Sequence, residues 1–466
     1  MSELHDLTAG ELLDRLRAAA VSPVEAVAHY VERIARLDGR LGAFVEVTAD
    51  AALARAARLE AAAPFGTLWG LPHAEKDLVA RAGVPTRYGS AARIDHVPAA
   101  SDELALLLDA AGAVSVGKTN TPEFGLTGYT ESAVAPPARD PWDTRNGAGG
   151  SSGGAAAAVA AGLLPAAIGS DGGGSVRIPA ATVGIVGLKP SRGRLPVGSG
   201  LDSPGGLVVN GPLARTVGDA ALLLDALVAG APYRHATRAA GAGPFVDAVR
   251  TDGPALRVAV TTVSPWDDDE DIRLDAAAAA AVSTAAAVLD GLGHAVAELA
   301  WRPHGYAALF RVLWRSSAAR LPLTDAELAR LQPITAWLVR EGRALGAPEL
   351  LGALSAASAF ERETIAVFAP YDAVLTPALA LPARPVGWFD AADPERDFAQ
   401  QVRYAPYSSF VNVAGLPAIV VPVTRDAAGH PVAVQLVGRP GGEAALLRLA
   451  GQLESARGPL PHPPCW

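Results

Sequence analysis

The sequence predicts an α/β fold in which helices cover a sheet. Three observations carry that expectation. Helix-patterned and strand-patterned segments alternate, with a leucine-rich helix over 101–112 running into a strand over 113–117. Half of the 466 residues are apolar and only 19% are charged, enough to bury a large core and unlike a disordered chain. Strand patterns return at 373–376, 418–423 and 432–437 and close the sheet from the C-terminal end.

The elements can be justified in order. Thr8 and Glu11 form a capping box ahead of Leu12, Leu13 and Leu16, so a first helix starts there. Ser22, Pro23 and Glu25 repeat the signal, with Val24, Val27, Val31 and Ile34 on one face of a second helix. An alanine-rich third helix covers 50–62. Residues 70–79, GLPHAEKDLV, read as a short strand with a lysine at its centre, and strand alternation turns Lys76 away from Glu75 and Asp77. Spacing leaves open whether that lysine is buried or lies on an exposed edge. A small-residue helix over 155–164 leads to a strand over 166–170, and a loop-rich stretch follows Pro190. A helix over 216–228 buries Leu222, Leu223, Leu224 and Leu227. From about 230 to 370 the chain reads as an alanine-rich helical cover with a strand at 256–261, and its chemistry is uninformative.

The stretch 149–190 is the most unusual. Two glycine-packed serine clusters, GGSSGG around Ser151 and DGGGS ending at Ser175, are separated by small apolar residues. Glycine lets backbone N–H groups face a ligand with no side chain between. A flexible linker would not carry the intervening Ala, Val and Ile. Gly149, Ser151 and Gly153 also satisfy the G-x-S-x-G pattern of a nucleophile elbow, but that turn must follow a strand, and DPWDTRNGAG before it is loop chemistry. Ser115 and Lys118 match S-x-x-K by chance, because the serine lies in a strand and opens no helix.

Composition narrows the function classes. A net charge of −9 with no run of basic residues argues against nucleic acid or an anionic membrane as partner. The single cysteine, Cys465, sits in a tail that reads as exposed and rules out an internal disulfide framework or a cysteine zinc site. The N-terminus lacks the basic and apolar regions of a secretory peptide, and a cytoplasmic location is expected. The uncharged run 147–170 is rich in Gly and Ala and reads as a buried core helix, not a membrane span.

Several motifs, in order, resemble the amidase signature family. These are GLPHAEKDL at 70–78, TNTPEF at 119–124, DPWD at 140–143, GGSSGG at 149–154, GSDGGGSVRIP at 169–179 and GLKP at 187–190. NGPLARTVGDAALLLD at 210–225, NVAGLPAIVVPV at 412–423 and VAVQLVG at 432–438 continue the resemblance. It covers most of the chain and is weakest from about 230 to 370. It implies one domain over 1–466 on a large, mixed, mostly parallel sheet covered by helices on both faces. Within it, 70–225 is the signature core, 230–370 a variable helical cover and 371–440 the strands completing the sheet.

The resemblance also implies a triad, with Ser175 as nucleophile, Ser151 as a bridging serine on a cis peptide after Gly150, and Lys76 as base. Backbone N–H groups of Gly172, Gly173, Gly174 and Ser175 are expected to form an oxyanion hole. Asp171 and Arg177 are expected to pair and hold the loop, with Ser152 bonding locally in support. Gly125, Leu126 and Thr127 are expected to line the pocket. Such a site cleaves the C–N bond of neutral amides or anilides, with carbamates and esters as further candidates, and needs no metal or cofactor. A monomer or homodimer is expected, acting on a small neutral molecule. Two other functions fit the same fold: the glutamine-hydrolysing subunit of a tRNA amidotransferase, against which Ile178 stands where that subunit has Gln, and a catalytically silent binding protein.

Three positions depart from the family pattern. Glu75 replaces an apolar residue before the lysine, Ala148 replaces a proline, and Gly172 replaces a bulkier residue before the oxyanion glycines. Glu75 is expected to pair on the far side of its strand. Gly172 is expected to leave room beside the nucleophile for bulky or aryl acyl groups.

Overall fold

The computed structural model describes residues 3–196, 204–230, 243–250 and 252–466. Part of the loop expected after Pro190 (197–203) and part of the predicted helical cover (231–242 and 251) lie outside the described residues. Eleven strands form one sheet: β1 Phe44–Val47, β2 Pro72–Lys76, β3 Val114–Thr119, β4 Ala166–Asp171, β5 Val186–Lys189, β6 Val209–Ala214, β7 Arg257–Val260, β8 Ala295–Glu298, β9 Ala373–Pro377, β10 Ala418–Arg425 and β11 Pro431–Gly438. Their spatial order is β1-β3-β2-β4-β6-β5-β10-β11-β9-β7-β8.

The sheet is mixed, as expected, but parallel pairs are the minority. Only β2/β3, β2/β4, β7/β9 and β7/β8 run parallel, while the other neighbours are antiparallel. Part of the reason is local: β10 and β11 are joined by a tight turn in which Asp426 N–H donates to His430 O, and short turns permit only antiparallel pairing. β1, β5, β6 and β8 were not anticipated, and β6 corrects the loop-rich reading of the stretch after Pro190. β1 and β8 have four residues each and lie at the edges of the sheet, and β8 is largely exposed, so neither carries a strong apolar pattern. β5 and β6 are buried but carry Gly187 and the Gly211–Pro212 pair, which read as turn signals in sequence.

Helices cover both faces. Along β7, β9, β10 and β11, adjacent residues fall into different apolar clusters: Val258, Leu375, Ile419 and Leu436 into one, Ala259, Val374, Ala418 and Val437 into the other. Side chains alternate across a strand, so the two clusters lie on opposite faces. The helices Val217–Gly230, Ala276–Gly291 and Glu443–Arg457 fill the first cluster. The helices Tyr306–Ala319 and Ala347–Phe368 fill the second. Both predicted capping boxes are present, on the helices Ala9–Arg17 and Pro23–Leu41. The uncharged run at 147–170 contains the helix Gly153–Ala160, buried at every residue. Among the described residues no helix is long and apolar enough to cross a membrane. Cys465 is buried where exposure was expected, because the tail folds back and Trp466 packs over the guanidinium groups of Arg33 and Arg215.

Strand β2 decides where the lysine sits. It is buried throughout and lies between β3 and β4, so Lys76 is interior rather than on an edge. Glu75 faces the other way, where Arg81 Nε donates to it at 2.8 Å and Ser115 Oγ at 2.5 Å. Burial would raise the Glu75 carboxyl, but His73 and Arg81 outweigh it and hold the group below the usual carboxylate range. Breaking a buried pair leaves an uncompensated charge, so Arg81→Met is expected to destabilise the protein by about 3 kcal/mol, read from urea denaturation. Adding Glu75→Gln to that variant is expected to restore most of the loss, and an unchanged midpoint in the single variant would refute the account.

Candidate active site

Parallel neighbours β2 and β4 end side by side, and their carboxyl ends carry the expected site. Lys76 is the last residue of β2, and β4 runs into the Gly172–Gly173–Gly174–Ser175 loop. Lys76 Nζ donates to Ser151 Oγ at 2.7 Å and to Ser170 Oγ at 3.0 Å. Lys76 is 1% exposed, and burial pulls its amine down to about 7 against a smaller upward pull from Asp171. Ser170 was not singled out from the sequence, where it reads as an ordinary strand end. Its signal was its position, since it immediately precedes the Asp-Gly-Gly-Gly-Ser run.

Ser151 lies in an irregular segment before the helix Gly153–Ala160, not in a strand-to-helix elbow. The Gly150–Ser151 peptide is cis. The surrounding glycines answer to close backbone approach: a Cβ on Gly150 would lie 2.6 Å from the Tyr129 backbone, and one on Gly154 2.4 Å from Asn120 N and Ala43 O. Ser152 joins the two serine segments, because its N–H donates to Ser175 O at 3.1 Å and its hydroxyl reaches Ser170 O at 3.4 Å. Ser151 and Ser175 line the same cavity, but no hydrogen bond joins their hydroxyls.

Asp171 and Arg177 form a bidentate pair, with Nη2 to Oδ1 at 2.9 Å and Nε to Oδ2 at 3.0 Å. The same carboxylate accepts the N–H groups of Gly174 at 2.8 Å and Val176 at 3.1 Å. Burial would raise Asp171, but the adjacent Arg177 outweighs it and keeps the carboxyl well below its usual range. Gly174 is therefore a correction to the expected oxyanion hole: its N–H is already committed to Asp171. The N–H groups of Gly172, Gly173 and Ser175 have no acceptor among the described residues. Arg177 is held in turn by Gln435 Oε1 at 2.7 Å, Asn412 Oδ1 at 2.6 Å and Ser408 O at 2.9 Å. Gln435 is the polar interruption in VAVQLVG, a signal visible in the sequence but not read as such.

Two cavities meet at Ser175. One is walled by Trp266, Phe310, Trp314 and Phe398, with Leu126 and Thr127 beside them. The other is walled by Leu78, Phe124, Gly125, Val208 and Leu321, with Ser151 and Gly172 at its base. Gly125, Leu126 and Thr127 thus all face a cavity, and among the described residues no charged side chain lines either one. Gly172 lines the second cavity beside Ser175, with Val208 and Trp314 bounding the room there. A Cβ there would stand 3.2 Å from Val208 and 3.5 Å from the Trp314 ring. Phe310 and Trp314 come from the helix Tyr306–Ala319, so the region read as chemically uninformative walls the site. Their i, i+4 spacing on one helix face was the available signal.

Other candidates resolve differently. Ser115 and Lys118 point to separate partners, Glu75 for the serine and Val79 O and Thr86 Oγ1 for the lysine. One group with metal-ligand spacing occurs among the described residues, Glu3, His5 and His29. Arg33 Nη1 lies 2.9 Å from His5 Nε2, so an arginine donor already occupies that imidazole.

The sequence model of the Amidase family matches residues 25–447. The putative amidase AmiB2 of Mycobacterium tuberculosis is 39% identical over 92% of this chain and 91% of its own length. A putative amidase of Synechocystis is 34% identical over 97% of this chain and 89% of its own. Among solved structures, a 6-aminohexanoate cyclic dimer hydrolase superposes with a TM-score of 0.91 at 27% identity, covering all of both chains. The chain belongs to the amidase family, hydrolases acting on amides.

Proposed function

We propose that this protein hydrolyses neutral amides and anilides through an acyl-enzyme on Ser175, with carbamates and esters as side substrates. The observation that carries the reading is a buried Lys76, pulled down to about 7, bonded at 2.7 Å to the hydroxyl of Ser151 in the cavity that Ser175 also lines. A serine hydroxyl is a weak nucleophile and needs a base, and a lysine serves as one only when neutral.

Ser175 Oγ attacks the carbonyl carbon while its proton passes to Ser151, whose own proton goes to Lys76. The Ser151 to Ser175 link is the one that closes with substrate bound, since hydrogen bonds in unliganded sites tighten on binding. Negative charge on the carbonyl oxygen is met by the N–H groups of Gly172, Gly173 and Ser175, which have no acceptor among the described residues. Collapse breaks the C–N bond, and the proton returns through Ser151 to the departing nitrogen. Water then attacks the acyl-enzyme by the same relay and releases the acid. The uncharged cavity walls support uncharged substrates, because a buried charge without a partner is costly.

Ser175→Ala and Lys76→Ala are each expected to lower hydrolysis of a p-nitroanilide by about 10⁴-fold or more, measured as kcat at saturating substrate. Near-normal turnover in either variant would sink the triad. The base must be deprotonated to act, so kcat/KM is expected to rise with pH through an apparent pKa near 7 and level off above it. A flat profile between about pH 5 and pH 9 would exclude Lys76 as the titrating base.

A further inference from the structure

We propose that Trp314 is a specificity-determining residue: it divides the space around Ser175 into an acyl subsite and a leaving-amine subsite. The inference deepens the acyl-transfer reading above and rests on it.

The division is built from contacts. Ser175, Leu126 and Trp314 line both cavities. Trp314 is fixed in place, since its Nε1 donates to Leu126 O at 3.2 Å and its ring stacks on Phe310 with centroids 5.4 Å apart at 17°. Its edge lies against the backbone that carries the free N–H groups, with ring atoms 3.5 and 3.6 Å from where a Gly172 Cβ would be and 3.8 Å from that of Gly173. A Cβ at 172 would touch this ring at ordinary van der Waals distance and meet Val208 more closely, at 3.2 Å.

Proton delivery tells the two sides apart. Ser151 and Ser170, the two hydroxyls bonded to Lys76, open only into the cavity walled by Leu78, Val208 and Leu321. The departing nitrogen must receive its proton from Ser151, so the amine leaves through that cavity. The acyl group then occupies the side walled by Trp266, Phe310 and Phe398.

Both subsites select apolar groups. On the acyl side the polar wall atoms are spent on the protein itself. Gln401 accepts from Gly128 N–H at 2.8 Å and donates to Asp397 at 2.8 Å, Thr127 donates to Tyr129 O at 2.9 Å, and Ser409 Oγ accepts from Trp266 and Tyr306. On the amine side Leu78, Val79, Phe124, Val208 and Leu321 form the walls, and an added charge would be buried there with no partner among the described residues. The substrate class is therefore an uncharged amide with a planar, preferably aromatic acyl group and an apolar amine.

Four substrates test this: acetamide, benzamide, acetanilide and benzanilide. Val402→Trp, which narrows the acyl side, is expected to lower kcat/KM for benzoyl relative to acetyl substrates by about tenfold or more. Leu321→Trp, which narrows the amine side, is expected to penalise anilides relative to primary amides by a similar factor. The milder Val402→Phe and Leu321→Phe carry the same expectation in sign if a tryptophan variant fails to fold. Trp314→Ala is expected to flatten both preferences by joining the cavities. Reversed sensitivities, or both variants acting on the same half of the substrate, overturn the partition while leaving the acyl-transfer reading intact. If neither these amides nor a fluorophosphonate probe modify Ser175, as read by intact mass, the acyl-transfer reading itself falls and the partition with it.

Discussion

The Asp171 carboxylate is the point on which the site turns. It is fully buried and takes hydrogen bonds from the Gly174 and Val176 N–H groups, from both faces of the Arg177 fork and from Asn412 Nδ2 at 2.9 Å. Two loop N–H groups are pulled inward, and those of Gly172, Gly173 and Ser175 have no acceptor among the described residues. Arg177 carries the constraint outward to Ser408, Asn412 and Gln435, so residues more than two hundred positions apart in sequence fix one loop. Such a pair is valuable less for the net energy of its making than for the several kcal/mol, about 3 to 5, that breaking it costs. The loop has no cheap alternative conformation.

Burial of a lysine is not by itself the distinguishing feature. Lys118 and Lys189 are as inaccessible as Lys76, and burial, with Arg177 adding to it, also pulls Lys189 down to about 7. What separates them is the partner. Lys118 lies 3.5 Å from Asp77, and Lys189 donates to Pro190 O at 2.9 Å, both closed arrangements within the protein. Lys118 also bonds a hydroxyl, that of Thr86, but the Ser151 hydroxyl bonded to Lys76 lines the cavity shared with Ser175 and can pass a proton on there. Glu75, the acid next to it in sequence, is removed from this environment by strand alternation and spent on Arg81.

Much of this was legible in the sequence, because the residues concerned act through local patterns. The alternation that parts Lys76 from Glu75 follows from strand spacing and the glycines flanking Ser151 are read directly, whereas the Asp171–Arg177 pair came with the family resemblance. What escaped has a common cause in tertiary direction. Hydrophobic patterns locate strands but do not encode which neighbour they meet, so the sheet turned out mostly antiparallel. Which of four adjacent N–H groups Asp171 would claim depends on loop dihedrals that composition cannot specify. Cys465 is buried because Trp466 finds two guanidinium groups from distant segments, and no window around the tail contains them.

The departure at Gly172 shows how such long-range compensation works. Seen beside the nucleophile in sequence, a missing side chain reads as empty space. In the fold that space is bounded by an indole from a helix more than one hundred and thirty residues later, tied to the Leu126 carbonyl and stacked on Phe310. Protein interiors are close-packed, so a vacancy at one position is an invitation to a neighbour and the two residues must be read together. The consequence is a division of labour. The loop clamped by Asp171 fixes the chemistry and tolerates little change, whereas the helix Tyr306–Ala319 reaches the same serine through packing alone. A packed aromatic can be exchanged for another shape at the cost of repacking, without unpairing a buried charge. Substrate scope can therefore shift in the helical cover while the reacting groups stay where they are.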